Sequence, residues 1–253
     1  MRAYATPLVI LITVASMTYC MGNNIHVKPL SNNHSVSDTP ANKLTASEKA
    51  KGWRLLFDGN SMKGWRTYQN KKSNSWSVKQ GVLYCKGSAS DKSDLRSDII
   101  TIDKFENFEL SIDWKISPKG NSGILYMVNE DNKTSYLSGP EYQIIDDVNF
   151  PEKLEDWQKT GANYAMDPAP TAAPSPVGQW NYTRIIVNKN HVEHWLNGKK
   201  IVEYELYSDK WKKEKSIGKW KDASGYGLTK KGYIALQDHG SEAWFRNIKI
   251  RQL

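Results

Sequence analysis

The sequence predicts an all-β protein, a two-sheet sandwich preceded by an N-terminal signal segment and a flexible linker. Three observations carry that expectation. Phe108, Leu110, Ile112, Trp114 and Ile116 alternate with Glu109, Ser111, Asp113 and Lys115, the period of a half-buried strand. Asn197-Gly198 separates two strand-like runs, which is the strongest short hairpin signal. After residue 52 almost nothing has helical period, while short apolar runs and turn residues recur to the end of a 253-residue chain.

In chain order, the first element is a targeting segment over residues 1–20. Arg2 supplies a positive charge, and Leu8 to Val14 is an apolar run too short to span a bilayer, which takes about 20 residues. Met17-Thr18-Tyr19-Cys20 puts a cysteine where a bacterial lipoprotein signal carries its lipidated residue, although Tyr19 is larger than that signal prefers. The expected product is exported and anchored through lipid on Cys20, in the periplasm or at the outer membrane. Residues 21–45 read as a disordered tether, because Asn23-Asn24, Ser31-Asn32-Asn33-His34-Ser35 and Asp38-Thr39-Pro40 are too poor in apolar groups to pack. A folded domain is expected over residues 46–253. It opens on a short helix near Leu44–Gly52, with Thr45 and Glu48 spaced as a capping box and Gly52 as the stop.

Gly81 to Cys85 is the next strand, and Cys85 reads as a small buried residue. The alternating run 108–116 is followed by the turn Lys119-Gly120-Asn121 and a second strand through Val128. Glu141-Tyr142-Gln143-Ile144-Ile145-Asp146 then sets Glu141, Gln143 and Ile145 on one face and Tyr142, Ile144 and Asp146 on the other. A strand with a carboxylate and an amide on one face is a candidate wall of a polar cleft. Residues 147–180 are the longest irregular region, because Pro168, Pro170, Pro174 and Pro176 cannot donate to a ladder. Strands follow over 184–187, 192–196, 200–204, 232–237 and 244–250.

Composition narrows the function classes. Ten Trp and thirteen Tyr suit strands, and flat rings also stack on sugars. The net charge of +8 comes from scattered lysines, with no basic helix and no nucleic-acid motif, so nucleic acid is not an expected partner.

An ordered set of short motifs resembles the bacterial 3-keto-disaccharide hydrolase family. The set runs from Trp53-Arg54-Leu55-Leu56-Phe57-Asp58-Gly59 with Gly64-Trp65, through Asn121-Ser122-Gly123-Ile124, Gly139-Pro140-Glu141-Tyr142-Gln143, Gly161-Ala162-Asn163-Tyr164, Gly178-Gln179-Trp180-Asn181 and His194-Trp195-Leu196-Asn197-Gly198. It closes on Gly232 to Gly240 and Phe245-Arg246-Asn247-Ile248. The resemblance covers about residues 51–253. It implies a concanavalin-like jelly roll and action on 3-keto-glycosides or 3-keto-disaccharides by elimination across C1–C2, by hydration, or by both as net hydrolysis. It further implies an oxidoreductase upstream that makes the ketone. One departure is Met127, where family members often carry Arg.

That chemistry needs a base for the C2 proton, stabilisation of the enolate and an acid at the leaving oxygen. Glu141 is the first candidate base, with His194, His239 and Asp146 as further candidate catalytic groups. Asn121, Ser122, Gln143 and Gln237 are candidates for binding sugar hydroxyls, and Tyr126 and Trp195 for stacking. A divalent metal stays open, since His, Asp and Glu are present but form no compact ligand motif. A retaining glycosidase would need acidic residues alternating closely on one strand. Glu109 and Asp113 are the nearest match and lack that pattern. A non-catalytic carbohydrate-binding module and a structural surface lipoprotein are the competing readings.

Overall fold

The structure is a computed structural model that describes residues 41–87 and 95–253. The signal segment, Cys20 and most of the expected tether lie outside the described residues. The short helix α1 (Ala46–Ala50) carries the expected capping box, in which Thr45 Oγ1 accepts from the Glu48 N–H and Glu48 accepts from the Thr45 N–H. Just before it, the Asn42 side chain is buried against the domain, bonded to Asn247 and to the Gly81 carbonyl.

Thirteen strands follow among the described residues. In chain order they are β1 (Arg54–Leu55), β2 (Trp65–Thr67), β3 (Trp76–Lys79), β4 (Val82–Cys85), β5 (Ile99–Thr101) and β6 (Phe108–Ile116). Then come β7 (Asn121–Val128), β8 (Glu141–Ile145), β9 (Asn181–Asn188), β10 (His191–Leu196), β11 (Lys199–Glu205), β12 (Tyr233–Leu236) and β13 (Ala243–Gln252). They form two antiparallel sheets. One runs β11-β10-β9-β6-β13-β4-β3, with β1 on β13, and the other runs β2-β5-β12-β7-β8. The expected two-sheet sandwich is therefore present.

Alternation decides which side chains meet between the sheets. From β6 come Phe108, Leu110, Ile112, Trp114 and Ile116, and from the facing sheet come Ile99, Ile124, Tyr126, Tyr142, Ile144, Ile234 and Leu236. Trp114 satisfies its indole N–H on Thr183 Oγ1 at 2.8 Å, so the ring is buried without an orphaned donor. Cys85 is fully buried, as the sequence predicts. Asn197 (φ 49) and Gly198 (φ 84) turn β10 into β11, both left-handed as a type I′ hairpin requires.

The sequence reading misses the short strands β1, β2, β3 and β5, and the second helix. Helix α2 (Asp209–Ile217) buries only Trp211, so it has no apolar stripe for periodicity to detect. Its signal is the Ser208 N-cap followed by a run of Lys and Glu. Met127 is also informative. It has φ 57, and the pairing of β7 with β12 shifts register opposite it. The resulting bulge turns Met127 into the core, where it is 2% exposed.

Candidate active site

The outer face of the five-stranded sheet collects the polar groups. Leu125 pairs with Glu141 and Gly123 with Gln143, so these four share a face. On the next strand Ala235 pairs with Leu125, and the Gln237 N–H donates to the Gly123 carbonyl at 3.0 Å. Ile100 pairs with Ala235, which carries Asp98 to the same face. Toward one end this face is apolar, with Tyr68, Ile100, Leu125, Val128 and Ala235 packed together. Toward the other, Asp98, Gln237, Gly123 and Gln143 lie in a row across four strands, and Glu141 leans into that row. Its carboxylate occupies the space that a β-carbon on Gly123 would fill.

Glu141 is 4% exposed. Burial, reinforced by the charge of Asp98, pushes its pKa up to about 8 against the opposing pull of Lys219 and the Gln237 amide. Asp98 is also raised by burial, but its carboxylate is tied down by Ser135 Oγ and by the Asp238 N–H at 2.9 Å. Three buried acceptors of this face have no partner among the described residues: Asn121 Oδ1, Gln143 Oε1 and Gln237 Oε1. Buried acceptors left open are costly unless a ligand supplies donors, and sugar hydroxyls are such donors. His239 stands exposed at the rim. Desolvation of its ring by the surrounding protein, with the charge of Arg96, holds its pKa below the usual imidazole value.

Beyond β8 the chain adds one more edge. Gly161 N–H donates to the Gln143 carbonyl at 2.8 Å, Gln143 N–H to Ala162 at 3.1 Å, and Tyr164 N–H to the Glu141 carbonyl at 3.0 Å. Asn163 bridges Tyr142, so Tyr164 falls on the Glu141 face. Lys219 Nζ donates to the Tyr164 hydroxyl at 3.1 Å and stands 4.2 Å above its ring.

Glu141, Gln143, Gln237, Asn121 and His239 are thus brought to one face or its rim, and the other sequence candidates are not. His194 lies inside the sandwich. Its Nδ1–H donates to the Gly161 carbonyl at 2.9 Å, which leaves Nε2 to accept from the Tyr126 hydroxyl at 2.8 Å. Burial drops its pKa to about 4. Tyr126 is equally buried and also bonds the Tyr204 hydroxyl at 2.7 Å, so it has no face for a sugar. Ser122 donates to the Gln237 carbonyl at 2.8 Å on the inner side. Asp146 accepts from the Lys119 N–H at 2.8 Å and from Val148 and Asn149, and these bonds outweigh burial and keep its pKa low. It caps the turn after β8. Trp195 points outward from the other sheet, bonded to Glu193 at 2.6 Å beneath the Arg184 guanidinium. His194 and Ser122 still bear on the site from behind, because Gly161 holds Gln143 and Ser122 holds the Gln237 main chain.

His194 gives a stability test. It stays neutral in the fold down to about pH 4, whereas an unfolded His titrates near 6.5. A depressed folded pKa means stability that is present above pH 6.5 and lost as pH falls toward 4, here about 3 kcal/mol. Urea unfolding of His194→Gln should start from a lower stability at pH 7 and lose less of it between pH 6.5 and 4 than the unmodified protein does.

Three contributors escaped the sequence reading. Asp98 and Lys219 are remote from Glu141 in the chain. Trp157 packs edge-on against Tyr164 at 5.5 Å from within the Pro-rich irregular region. The alternation of Asp98 with Ile100 was the one available signal for Asp98; Lys219 had none. Among the described residues, His191, Glu193 and Glu203 could jointly offer metal ligands on the edge hairpin. Lys200 already pairs with both glutamates there, at 3.4 and 2.7 Å, and His191 pairs with Glu205, so the group fits an ion-pair network better than a cation.

Comparison with known proteins bears on this arrangement. A family model described as a 3-keto-alpha-glucoside-1,2-lyase-like domain matches residues 52–251. A protein of Bacteroides thetaiotaomicron named 3-keto-disaccharide hydrolase is 34% identical over 230 residues, spanning 81% of this chain and 79% of that protein. Two crystal structures from Parabacteroides distasonis ATCC 8503, both provisionally described as glycosyl hydrolases, share the fold. One is 41% identical with a TM-score of 0.79 and covers 85% of this chain and 100% of its own. The other is 31% identical with a TM-score of 0.62 and covers 79% and 99%.

Proposed function

Since this chain belongs to the 3-keto-alpha-glucoside-1,2-lyase-like domain family, we propose that it cleaves 3-keto-glucosides and 3-keto-disaccharides on the face that carries Glu141. The observation that supports this reading most is Glu141 itself. It is a buried carboxyl over a glycine, with its pKa raised to about 8, among acceptors that lack partners.

A ketone at C3 acidifies the C2 proton. The Glu141 carboxylate takes that proton, and the C2–H electrons pass into an enolate across C2 and C3. As the ketone re-forms, the electrons shift to C1=C2 and the C1–O bond breaks, releasing the second sugar once its oxygen gains a proton. Water then adds across C1=C2, with hydroxyl to C1 and a proton to C2, and net hydrolysis is complete. A carboxylate raised to about 8 is a stronger base than a free one and still ionises in a useful fraction near neutrality. Gln143 and Gln237 orient the ring through its hydroxyls, and the Lys219 ammonium offsets the negative charge that develops beside Glu141.

The substrate is an oxidised secondary alcohol, so an oxidoreductase must act before this protein. We extend the proposal to export with lipid on Cys20. Labelling with a lipid precursor should mark the protein, and the label should vanish in Cys20→Ser; a labelled Ser variant refutes the anchor.

The direct test of the reaction compares 3-keto-trehalose with trehalose, followed by NMR. The oxidised sugar should be cleaved and the plain one left intact, because without the ketone the C2 proton is not acidic. Equal cleavage of both would replace this reading with a glycosidase that ignores C3.

A further inference from the structure

We propose that Trp157 and Tyr164 form the binding site for the leaving sugar of a disaccharide, beside the ring whose C2 proton Glu141 removes. The proposal rests on that reading of Glu141. Main-chain pairing sets Tyr164 against Glu141, with its N–H on the Glu141 carbonyl at 3.0 Å, and register turns its ring to the same face. Trp157 packs edge-on against that ring at 5.5 Å and continues the surface outward. The ring is steadied from the other side by Trp220 at 6.3 Å, which is itself stacked on Tyr226 at 4.4 Å.

Exposure is the second observation. Among the described residues, Trp157 (36%) and Tyr136 (37%) are the two aromatic side chains left exposed. Both belong to this one cluster, Trp157 through Tyr164 and Tyr136 through Trp220 at 6.5 Å. Every other described Trp, Tyr and Phe is buried or half-buried. Apolar rings held in solvent beside the buried polar row around Glu141 suit a ligand with one apolar face and a hydroxylated edge, which is a pyranose. Lys219, bonded to the Tyr164 hydroxyl, supplies a donor for that edge.

Position decides which sugar sits there. The ketone-bearing ring has to lie over Gly123, where the Glu141 carboxylate meets the amides of Gln143 and Gln237. Tyr164 stands one strand spacing beyond Glu141 on β8 and two beyond Gly123 on β7, ~5 and ~10 Å, on the side to which the leaving sugar would extend.

The test uses two substrates with the same 3-keto ring, 3-keto-trehalose and methyl 3-keto-α-glucoside, which differ only in the leaving group. In Trp157→Ala the ratio of their kcat/KM values should fall about 3–10-fold in disfavour of the disaccharide, the worth of one aromatic contact. The change should sit in KM, and Trp157→Phe should restore most of it. An unchanged ratio overturns the proposal, including the case where both substrates weaken equally. If the unmodified protein turns over neither substrate, the reaction assigned above falls. Calorimetry with trehalose against methyl α-glucoside then decides the rim. A relative affinity for trehalose that drops in Trp157→Ala supports it, and one that does not drop overturns it.

Discussion

Glu141→Gln should lower turnover of a 3-keto-disaccharide by about 10²–10⁴-fold, the usual contribution of a positioned general base, while raising the stability of the fold. The two effects share a cause. At pH 8 the unmodified protein holds a buried carboxyl whose folded pKa is about 8 against an ordinary value of 4.5. A raised folded pKa costs nothing below the unfolded value. The cost grows as pH rises from 4.5 and levels off above 8. Gln has the same shape and no proton to take up, so the variant should gain a few kcal/mol at pH 8 and nothing at pH 4. The rate should mirror this titration. In the unmodified protein kcat/KM should climb with pH and flatten above about 8, and the climb should be missing in Glu141→Gln. A variant with near-normal turnover, or one that unfolds, would make Glu141 a structural residue.

Gly123→Ala should come close to the same loss without touching an ionisable group. Gly123 has ordinary strand geometry, so Ala strains no backbone. The added β-carbon instead lands on the Glu141 carboxylate and crowds its Cδ and Cγ. The carboxylate must swing away from the row of amides, and a misplaced base loses most of its effect. Crowding of this kind typically costs about 1–3 kcal/mol of stability, so melting should shift modestly while turnover collapses. The double variant Gly123→Ala, Glu141→Gln should be little slower than the worse single one, because both changes remove one function. Losses that multiply would show that Gly123 acts on something other than Glu141.

Much of this fold is written in short-range pattern. The β6 strand covers the run Phe108–Ile116 that alternation marks, and the Asn197-Gly198 hairpin falls where its turn chemistry puts it. The same alternation separates Glu141 and Gln143 from Tyr142 and Ile144. It cannot say which face is the core when both faces are covered, and every residue of β8 is buried. Segment 161–164 pairs with the edge of β8 and buries it on both sides, so Tyr126 and His194 read like cleft residues although they pack between the sheets. Met127 escapes alternation altogether, because a bulge resets the parity of its strand. Asp98 and Lys219 reach Glu141 only through tertiary closure, and nothing near them in the chain announces it. The resemblance to a family supplied the chemistry; the residues around Glu141 supply a place for it.

The central claim is that Glu141 removes the proton from C2 of a 3-keto sugar. The most direct measurement is NMR of 3-keto-trehalose incubated with the protein in D₂O. Proton removal followed by hydration should leave deuterium at C2 of the released 3-keto-glucose, well above the exchange seen in buffer, and Glu141→Gln should slow both the release and the labelling by about 10²–10⁴-fold. Release of 3-keto-glucose that keeps its original hydrogen at C2, or full labelling by Glu141→Gln, would contradict the account.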